Sequence, residues 1–246
     1  MSKEWLEGLV TYAQAQLTAR EYDALYCRGV SDEQMIEYRI GCLRNELPEG
    51  CPDHFLKWAR GKVNGVFVLP LTTMLGEIRG LQLRHIDRDI PGYSDYFLWK
   101  REACLFGLAQ AAPHIWATRS VFIVEGAFDL FPIQRAAPMV IATLTARTSI
   151  QMVRVLKRLV DRVWIGYDMD KTGRAGCQDF AKRYGQDFDV EIVSYPDVNG
   201  QPVKDPGQFW EDTGDARVVP FVQGVIHASP IGGALQWRDY TTTLSG

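Results

Sequence analysis

Between residues 119 and 193 the chain alternates short apolar runs with longer stretches of helical periodicity, and this alternation restricts the fold more than any other feature. Val121–Val124, Met139–Ile141, Arg162–Tyr167 and Val190–Val193 read as strands. Phe128–Arg135, Ser149–Val160 and Arg174–Tyr184 read as the helices between them. Strands that alternate with helices of this length predict a parallel sheet with helices on its faces. In such sheets the functional groups gather at the carboxyl ends of the strands.

Acids stand at those ends. The first strand runs into Glu125-Gly126, with Asp129 four residues beyond Glu125. The third runs into Asp168-Met169-Asp170, followed by Lys171-Thr172-Gly173. The fourth is followed by Lys204-Asp205-Pro206. Gly126 and Gly173 permit tight strand-to-helix turns where a Cβ would obstruct the backbone. Carboxylates crowded together at neutral pH require a cation or partial protonation. An all-oxygen donor set suits Mg²⁺ or Mn²⁺ and not zinc. A divalent ion held this way bridges phosphates in phosphoryl transfer. Alone, a D-x-D after a strand reads as a solvated loop or a helix cap. Three acidic sites at strand ends in this order point to a metal-dependent site.

The flanks are of a different character. Residues 1–58 read as helical, with Leu6, Leu9, Val10 and Ala13 on one stripe. Ser31 and Gln34 form a capping box, Met35, Ile36 and Ile40 a buried stripe, and Gly41 a helix stop. Residues 59–103 read as strands, with a run at Val66–Leu69 ended by Pro70 and two strands meeting near Gly76. Arg79, Arg84, Arg88, Lys100 and Arg101 make this part basic, as a groove for a nucleic-acid backbone or a triphosphate requires. Asp87, Asp89 and Asp95 among them fit a solvated face equally well. Tyr93, Tyr96, Phe97 and Trp99 read as core before base-stacking groups. Lys171 and Arg174 follow the D-x-D where a helix N-terminus would meet phosphate. Beyond Asp205 a helix is expected from Pro206 through Trp210, then a strand over Val218–Val225.

Composition excludes several classes. Lys and Arg number 27 against 30 Asp and Glu, for a net charge of −3. A protein that coats nucleic acid by bulk charge is ruled out, while a local basic groove is not. No run of about 18 apolar residues predicts a membrane span, and the start, Met1-Ser-Lys-Glu, lacks the layout of a signal peptide. The five cysteines, at 27, 42, 51, 104 and 177, are odd in number and include no C-x-x-C pair. Reduced thiols and a cytoplasmic location are expected.

The segments Val121-Phe-Ile-Val-Glu125-Gly-Ala-Phe-Asp129 and Trp164-Ile-Gly-Tyr-Asp168-Met-Asp170-Lys-Thr-Gly173 together resemble a TOPRIM domain. That domain, shared by bacterial-type primases, topoisomerases and several nucleases, carries an E-G…D-x-D signature and binds Mg²⁺. Further segments are similar to parts of the DnaG-type primase catalytic core. They are Tyr26–Gly41, Leu69–Arg84, Leu105–Gln110, Ala142–Thr148 and Lys204-Asp205-Pro206, and the resemblance spans about residues 20–212. It implies an α/β (α+β overall) chain: a TOPRIM parallel-sheet domain with helices on both faces, preceded by a small mixed basic subdomain and N-terminal helices. The implied boundaries are 1–115, 116–205 and 206–246.

It also implies roles. Glu125, Asp168 and Asp170 would be catalytic. Glu125, Asp129, Asp168, Asp170 and Asp205 would surround Mg²⁺ or Mn²⁺. Arg79, Arg84, Arg88, Lys100, Arg101 and Lys171 would face nucleotide or DNA. The implied reaction is templated synthesis of short RNA primers from ribonucleoside triphosphates on single-stranded DNA. Two departures stand out. The family's D-P-D reads Asp205-Pro206-Gly207 here, and its Lys-Tyr pair reads Asp95-Tyr96. No Cys/His set has the spacing of the family's zinc module, no P-loop is present, and no helicase-binding domain is expected. The implied protein is a minimal core of the kind a phage or mobile element encodes. It would work in the host cytoplasm with a separate helicase, zinc module or polymerase. A TOPRIM nuclease and a non-catalytic nucleic-acid or replisome binding protein are the alternatives.

Overall fold

The computed structural model describes residues 4–44, 46–62, 65–87, 94–100 and 103–228. It divides into two compact units, Met1–Lys100 and Arg101–Gly246.

The first unit is an antiparallel sheet with helices packed on it. Its strands are β1 (Gly41–Leu43), β2 (Val66–Thr72), β3 (Ile78–His85) and β4 (Ser94–Phe97), in that spatial order. Helix α1 (Glu4–Ala15) lays Leu6, Leu9, Val10 and Ala13 against Leu43, Val66, Val68, Leu81 and Leu83. Phe97 sits among rings at one end of this core, 4.6 Å from Trp58 and 5.0 Å from Phe55 between centroids. Helices α2 (Ala19–Tyr26), α3 (Asp32–Glu37) and α4 (Asp53–Ala59) complete the unit. After α2, the Arg28 guanidinium lies 5.3 Å from the Phe67 ring centre and donates to the Ile86 carbonyl at 2.8 Å. One buried cation thereby ties the end of β3 to the helical layer.

Several local expectations fail here for identifiable reasons. Strand β1 lies inside the stretch read as helical. The capping box on Ser31 forms, with Ser31 accepting the Gln34 N–H. Its helix stops at Glu37, however, and Ile36 points outward at 73 % exposure while Met35 and Ile40 are buried. Helix α3 is only six residues long, and it presents Met35 to the core and Ile36 to the outside, with Ile40 beyond its end. Gly41 opens a strand rather than closing a helix, and a Cβ on it would fall 2.4 Å from the Ala13 carbonyl carbon. The glycine is needed for close approach of α1. Pro70 does not end β2. It lies past the last residue paired with β1, where β2 has a partner on one side only, and such a position tolerates a missing N–H.

The second unit carries the predicted parallel sheet. Its strands are β5 (Ser120–Val124), β6 (Val140–Ala142), β7 (Arg162–Gly166) and β8 (Asp189–Ile192), in the order β6-β5-β7-β8. All three pairings are parallel. The inner strand β5 is buried throughout, the pattern of a strand covered on both faces. Helix α5 (Leu108–Thr118) leads in, α6 (Ala127–Gln134) joins β5 to β6, α7 (Ile150–Leu159) joins β6 to β7, and α8 (Lys171–Tyr184) joins β7 to β8. The chain leaves β5 toward one edge and leaves β7 toward the other. Right-handed crossovers then place α6 on one face and α7 and α8 on the opposite face. The carboxyl ends of β5 and β7 flank the topological switch point, where a crevice opens.

Two helices follow, α9 (Pro206–Thr213) and α10 (Asp215–Ala228). The expected strand at Val218–Val225 is helical. Val218, Phe221, Val222 and Val225 are buried, which is the spacing i, i+3, i+4, i+7 of a helix face. The β-branched composition concealed that period. Among the described residues no helix is long and apolar enough to cross a membrane.

Replacing Gly41 by alanine should cost about 1–3 kcal/mol, the usual penalty of overpacking. Denaturant unfolding of the variant would show it, and an unchanged midpoint would contradict the docking of α1 onto β1.

Candidate active site

Three of the acids at the switch crevice, Asp129, Asp170 and Asp205, accept N–H groups of helix starts. Glu125 follows β5, and the next residue, Gly126, is the N-cap of α6. Asp129, in the first turn of α6, accepts the Gly126 N–H on Oδ2 at 2.9 Å and the Gly207 N–H on Oδ1 at 3.3 Å. It therefore links the starts of α6 and α9. Asp168 and Asp170 follow β7. Asp170 is the N-cap of α8 and accepts the Thr172 and Gly173 N–H groups on Oδ1, both at 2.8 Å. Asp205 is the N-cap of α9 and accepts the Gln208 N–H at 2.7 Å.

Glycines set the spacing. A Cβ on Gly173 would lie 2.1 Å from the Asp168 carbonyl oxygen, and one on Gly176 would lie 2.1 Å from that of Ala146. Only a bare backbone lets α8 start this close to the D-x-D loop. The loop after β6 is fixed from the same side. Leu144 N–H donates to the Glu125 carbonyl at 2.8 Å. The buried Tyr167 hydroxyl meets Thr143 Oγ1 at 3.1 Å and Thr148 Oγ1 at 2.7 Å. Tyr195 donates to the Gly166 carbonyl at 3.0 Å and packs with Phe209 and Phe221 of α9 and α10. Arg135, at the end of α6, pairs with Asp215 and covers the Trp210 ring, so α9 is moored to α6 at both ends.

The electrostatics separate the acids. Burial, with Asp168 and Asp170 nearby, pushes the Glu125 carboxyl up to about 7. The Asp168 N–H and the Lys204 ammonium oppose that rise. Glu125 Oε2 is buried without a hydrogen-bond partner. Burial, followed by Asp205 and Asp168, holds the Asp129 carboxyl well above the usual range, while its two backbone donors act the other way. Lys204 Nζ lies 3.5 Å from Asp205 Oδ2 and 3.9 Å from Asp168 Oδ2.

The oxygen-only donors and the orphaned Glu125 oxygen fit a hard divalent cation. Among the described residues no three His, Cys, Asp or Glu side chains converge as a ready-made metal cluster. No disulfide joins any of the five cysteines. Burial pushes the Cys104 and Cys177 thiols up to about 12 and Cys42 up to about 11.

The predicted basic residues fare unevenly. Arg79 is paired with Glu77 at 2.6 Å, both exposed. Arg84 lies on β3 in register with Phe67 and Ser94. Its neighbour Gln82, almost fully buried, donates to the Tyr96 hydroxyl at 2.9 Å. Lys100 is exposed at the end of the first unit. Lys171 is exposed as the first residue of α8. Arg88 and Arg101 lie outside the described residues. Asp95, which stands where a lysine was expected, pairs with Lys62, whose ammonium sits 5.0 Å from the Trp58 ring centre. Sequence reasoning gave no weight to Tyr167 or to the Lys204 side chain. A tyrosine directly before the D-x-D and a lysine directly before Asp205 were the available signals.

Residues 122–209 match the Toprim-like family model. A DNA primase of Clostridium acetobutylicum is 26 % identical over 166 residues, which is 65 % of this chain and 26 % of the relative. The chain thus spans about a quarter of the length of that protein. The RNA polymerase domain of Mycobacterium tuberculosis DnaG superposes with a TM-score of 0.69 at 19 % identity, covering 90 % of this chain and 83 % of that one. A DnaG primase catalytic domain bound to single-stranded DNA superposes at 0.66 and 19 % identity, covering 85 % and 74 %. The fold is that of the DnaG-type primase catalytic core. Within that fold, Glu125, Asp129, Asp168, Asp170 and Asp205 all belong to the Toprim-like half.

Two measurements test this site. The raised Glu125 pKa implies linkage, because the folded protein binds this proton more tightly than the unfolded chain does. Its contribution is fully present below about pH 4.5, declines as pH rises, and is lost above about pH 7. In metal-free protein, the stability of wild type relative to Glu125→Gln should fall across that window by roughly 1–2 kcal/mol after solvent screening. A flat difference would show that the carboxyl is not perturbed. Tyr167→Phe, which strands the Thr148 hydroxyl while Thr143 keeps the Thr145 carbonyl at 2.8 Å, should cost about 1–2 kcal/mol. The midpoint of denaturant unfolding reports it.

Proposed function

We propose that this chain is a metal-dependent primase core that synthesises short RNA primers on single-stranded DNA. The observation that carries the reading is Glu125. It presents an uncommitted, buried carboxylate oxygen at the switch crevice, and its proton affinity is tuned near neutrality. The fold supports the reading, as does the single-stranded DNA held by a structurally similar catalytic domain.

In this reading Asp168, Asp205 and the outer oxygen of Asp170 are the residues that would hold Mg²⁺ or Mn²⁺. The bound ion would neutralise the triphosphate and stabilise charge developing on the transferred phosphoryl group. The chain's own residues supply the rest. Glu125 would accept the proton of the attacking primer 3′-hydroxyl on its bare Oε2. A new O–P bond forms at the α-phosphate of the incoming ribonucleotide, the bond to its β-phosphate bridging oxygen breaks, and pyrophosphate leaves. Asp129 has both oxygens engaged by backbone N–H groups and acts as a positioning residue between α6 and α9. Lys171, exposed at the N-terminus of α8, faces phosphate, where the helix dipole adds to its charge. Arg84 and Lys100, both on the first unit, would contact the nucleic-acid backbone. Arg79, already paired with Glu77, contributes less. A helicase, a zinc-binding module and a polymerase are the partner classes such a core would meet.

Incorporation of labelled ribonucleotides on mixed-sequence single-stranded DNA with Mg²⁺ or Mn²⁺ tests the proposal. Short products should appear with wild type and fall at least about a hundredfold with Asp168→Ala and with Glu125→Gln, in line with losses of groups acting in the transition state. Cleavage of labelled DNA without synthesis would overturn the reading in favour of a nuclease using the same acids. Neither activity, with neighbouring replication proteins present, would favour a binding protein.

A further inference from the structure

We propose that Lys204 is a resident counter-cation of the acidic site, seated on Asp168 and Asp205 and competing with a divalent ion for their oxygens. The inference rests on the reading that these acids bind such an ion, and it adds a residue that sets how tightly they do so.

The placement of Lys204 is built into the backbone. Met169, the middle residue of the D-x-D, donates its N–H to the Lys204 carbonyl at 2.5 Å. The Lys204 N–H in turn donates to Gln208 Oε1 at 2.9 Å, one turn into α9. The next residue, Asp205, is fixed as the cap of that helix. The Lys204 backbone is therefore pinned between the D-x-D loop and α9 whatever its side chain does. From that anchor the ammonium reaches Asp205 Oδ2 at 3.5 Å and Asp168 Oδ2 at 3.9 Å. Both carboxylates are largely covered, at 20 % and 19 % side-chain exposure, whereas the lysine side chain is 62 % exposed. The acids are fixed and the cation is free to leave.

An ammonium and a divalent ion cannot share these oxygens. The ammonium lowers the repulsion among Asp168, Asp205 and Glu125 while no metal is bound, and the cost of displacing it is subtracted from metal affinity. A half-exposed ion pair is worth at most about fivefold in an equilibrium constant, so two pairs on one ammonium amount to roughly three- to tenfold.

The test is Mn²⁺ titration of the full chain, read from the electron paramagnetic resonance of free Mn²⁺, alongside thermal melts. Lys204→Met should bind Mn²⁺ roughly three- to tenfold more tightly than wild type. Lys204→Arg, which keeps the charge, should stay within about twofold of wild type. Without metal the Lys204→Met melting point should lie below wild type, and the gap should close at saturating Mn²⁺. Lys204→Gln serves if the methionine variant folds poorly. Asp168→Asn identifies the site, since it should remove the tight binding. If Asp168→Asn removes binding but Lys204→Met matches or weakens wild type, Lys204 is not a competitor and the proposal fails alone. If wild type shows no Mn²⁺ binding sensitive to Asp168→Asn, the metal reading of the site fails and this proposal with it.

Discussion

Mutual repulsion among carboxylates is the constraint around which the second unit is arranged. Glu125, Asp129, Asp168, Asp170 and Asp205 collect at one edge of a parallel sheet. Uncompensated charge gathered there would drive such an edge open. The fold answers with helix N-termini. The starts of α6, α8 and α9 all open beside the acids, and the free N–H groups of each start donate to one of them. The partial positive charge at a helix start favours an anion there by up to about 1 kcal/mol. Gly173 follows from this demand, because the donors reach Asp170 only if α8 begins against the backbone of the D-x-D loop, while Gly176 lets the same helix close on the Ala146 carbonyl after β6.

The same arrangement divides the acids by what they have left to offer. Asp129 has spent both oxygens on backbone donors, and Asp170 has spent one on capping. Glu125 caps nothing and keeps one oxygen bare. Its location on the first residue after the inner strand explains this: it emerges before the helix start, where the backbone has no free N–H to give it but that of Asp168 across the crevice. A carboxyl that is covered, faces other acids and lacks a full set of donors has its proton affinity raised. Structural duty and chemical availability thus fall to different members of one cluster.

How legible this was depends on the range of the interaction. The parallel sheet was readable because β5 and β7 are buried on both faces and so appear as unbroken apolar runs, and the acids were readable because they sit at the ends of those runs. The capping box at Ser31 was readable because it closes within four residues. The failures involve partners distant in sequence. Gly41 reads as a helix stop until Ala13 is seen against it. Pro70 reads as a strand end until β1 is seen to stop at Val68. Asp95 reads as a lost cation until Lys62 is found beside it, and Tyr167 reads as one more buried aromatic until Thr143 and Thr148 are found on its hydroxyl. Val218–Val225 is the exception, since its helical period was present in the sequence and β-branched composition outweighed it.

Gly207 shows how a single departure from a motif is absorbed. Where a D-P-D pattern would place a second acid on the α9 start, the chain has no side chain, and the Gly207 N–H donates to Asp129 Oδ1. A Cβ there would stand 3.1 Å from Asp129 Oδ1 and 3.2 Å from Asp205 Oδ1, tighter than ordinary contact. The substitution therefore removes one negative charge and lets α9 settle onto α6 through a backbone hydrogen bond. With one anion fewer, a single ammonium on Asp168 and Asp205 offsets a larger share of the remaining repulsion. The missing acid, the engaged Asp129 and the seated Lys204 are three aspects of one local balance of charge. In that balance the acids that remain open to an incoming cation are those nearest the ends of β5 and β7.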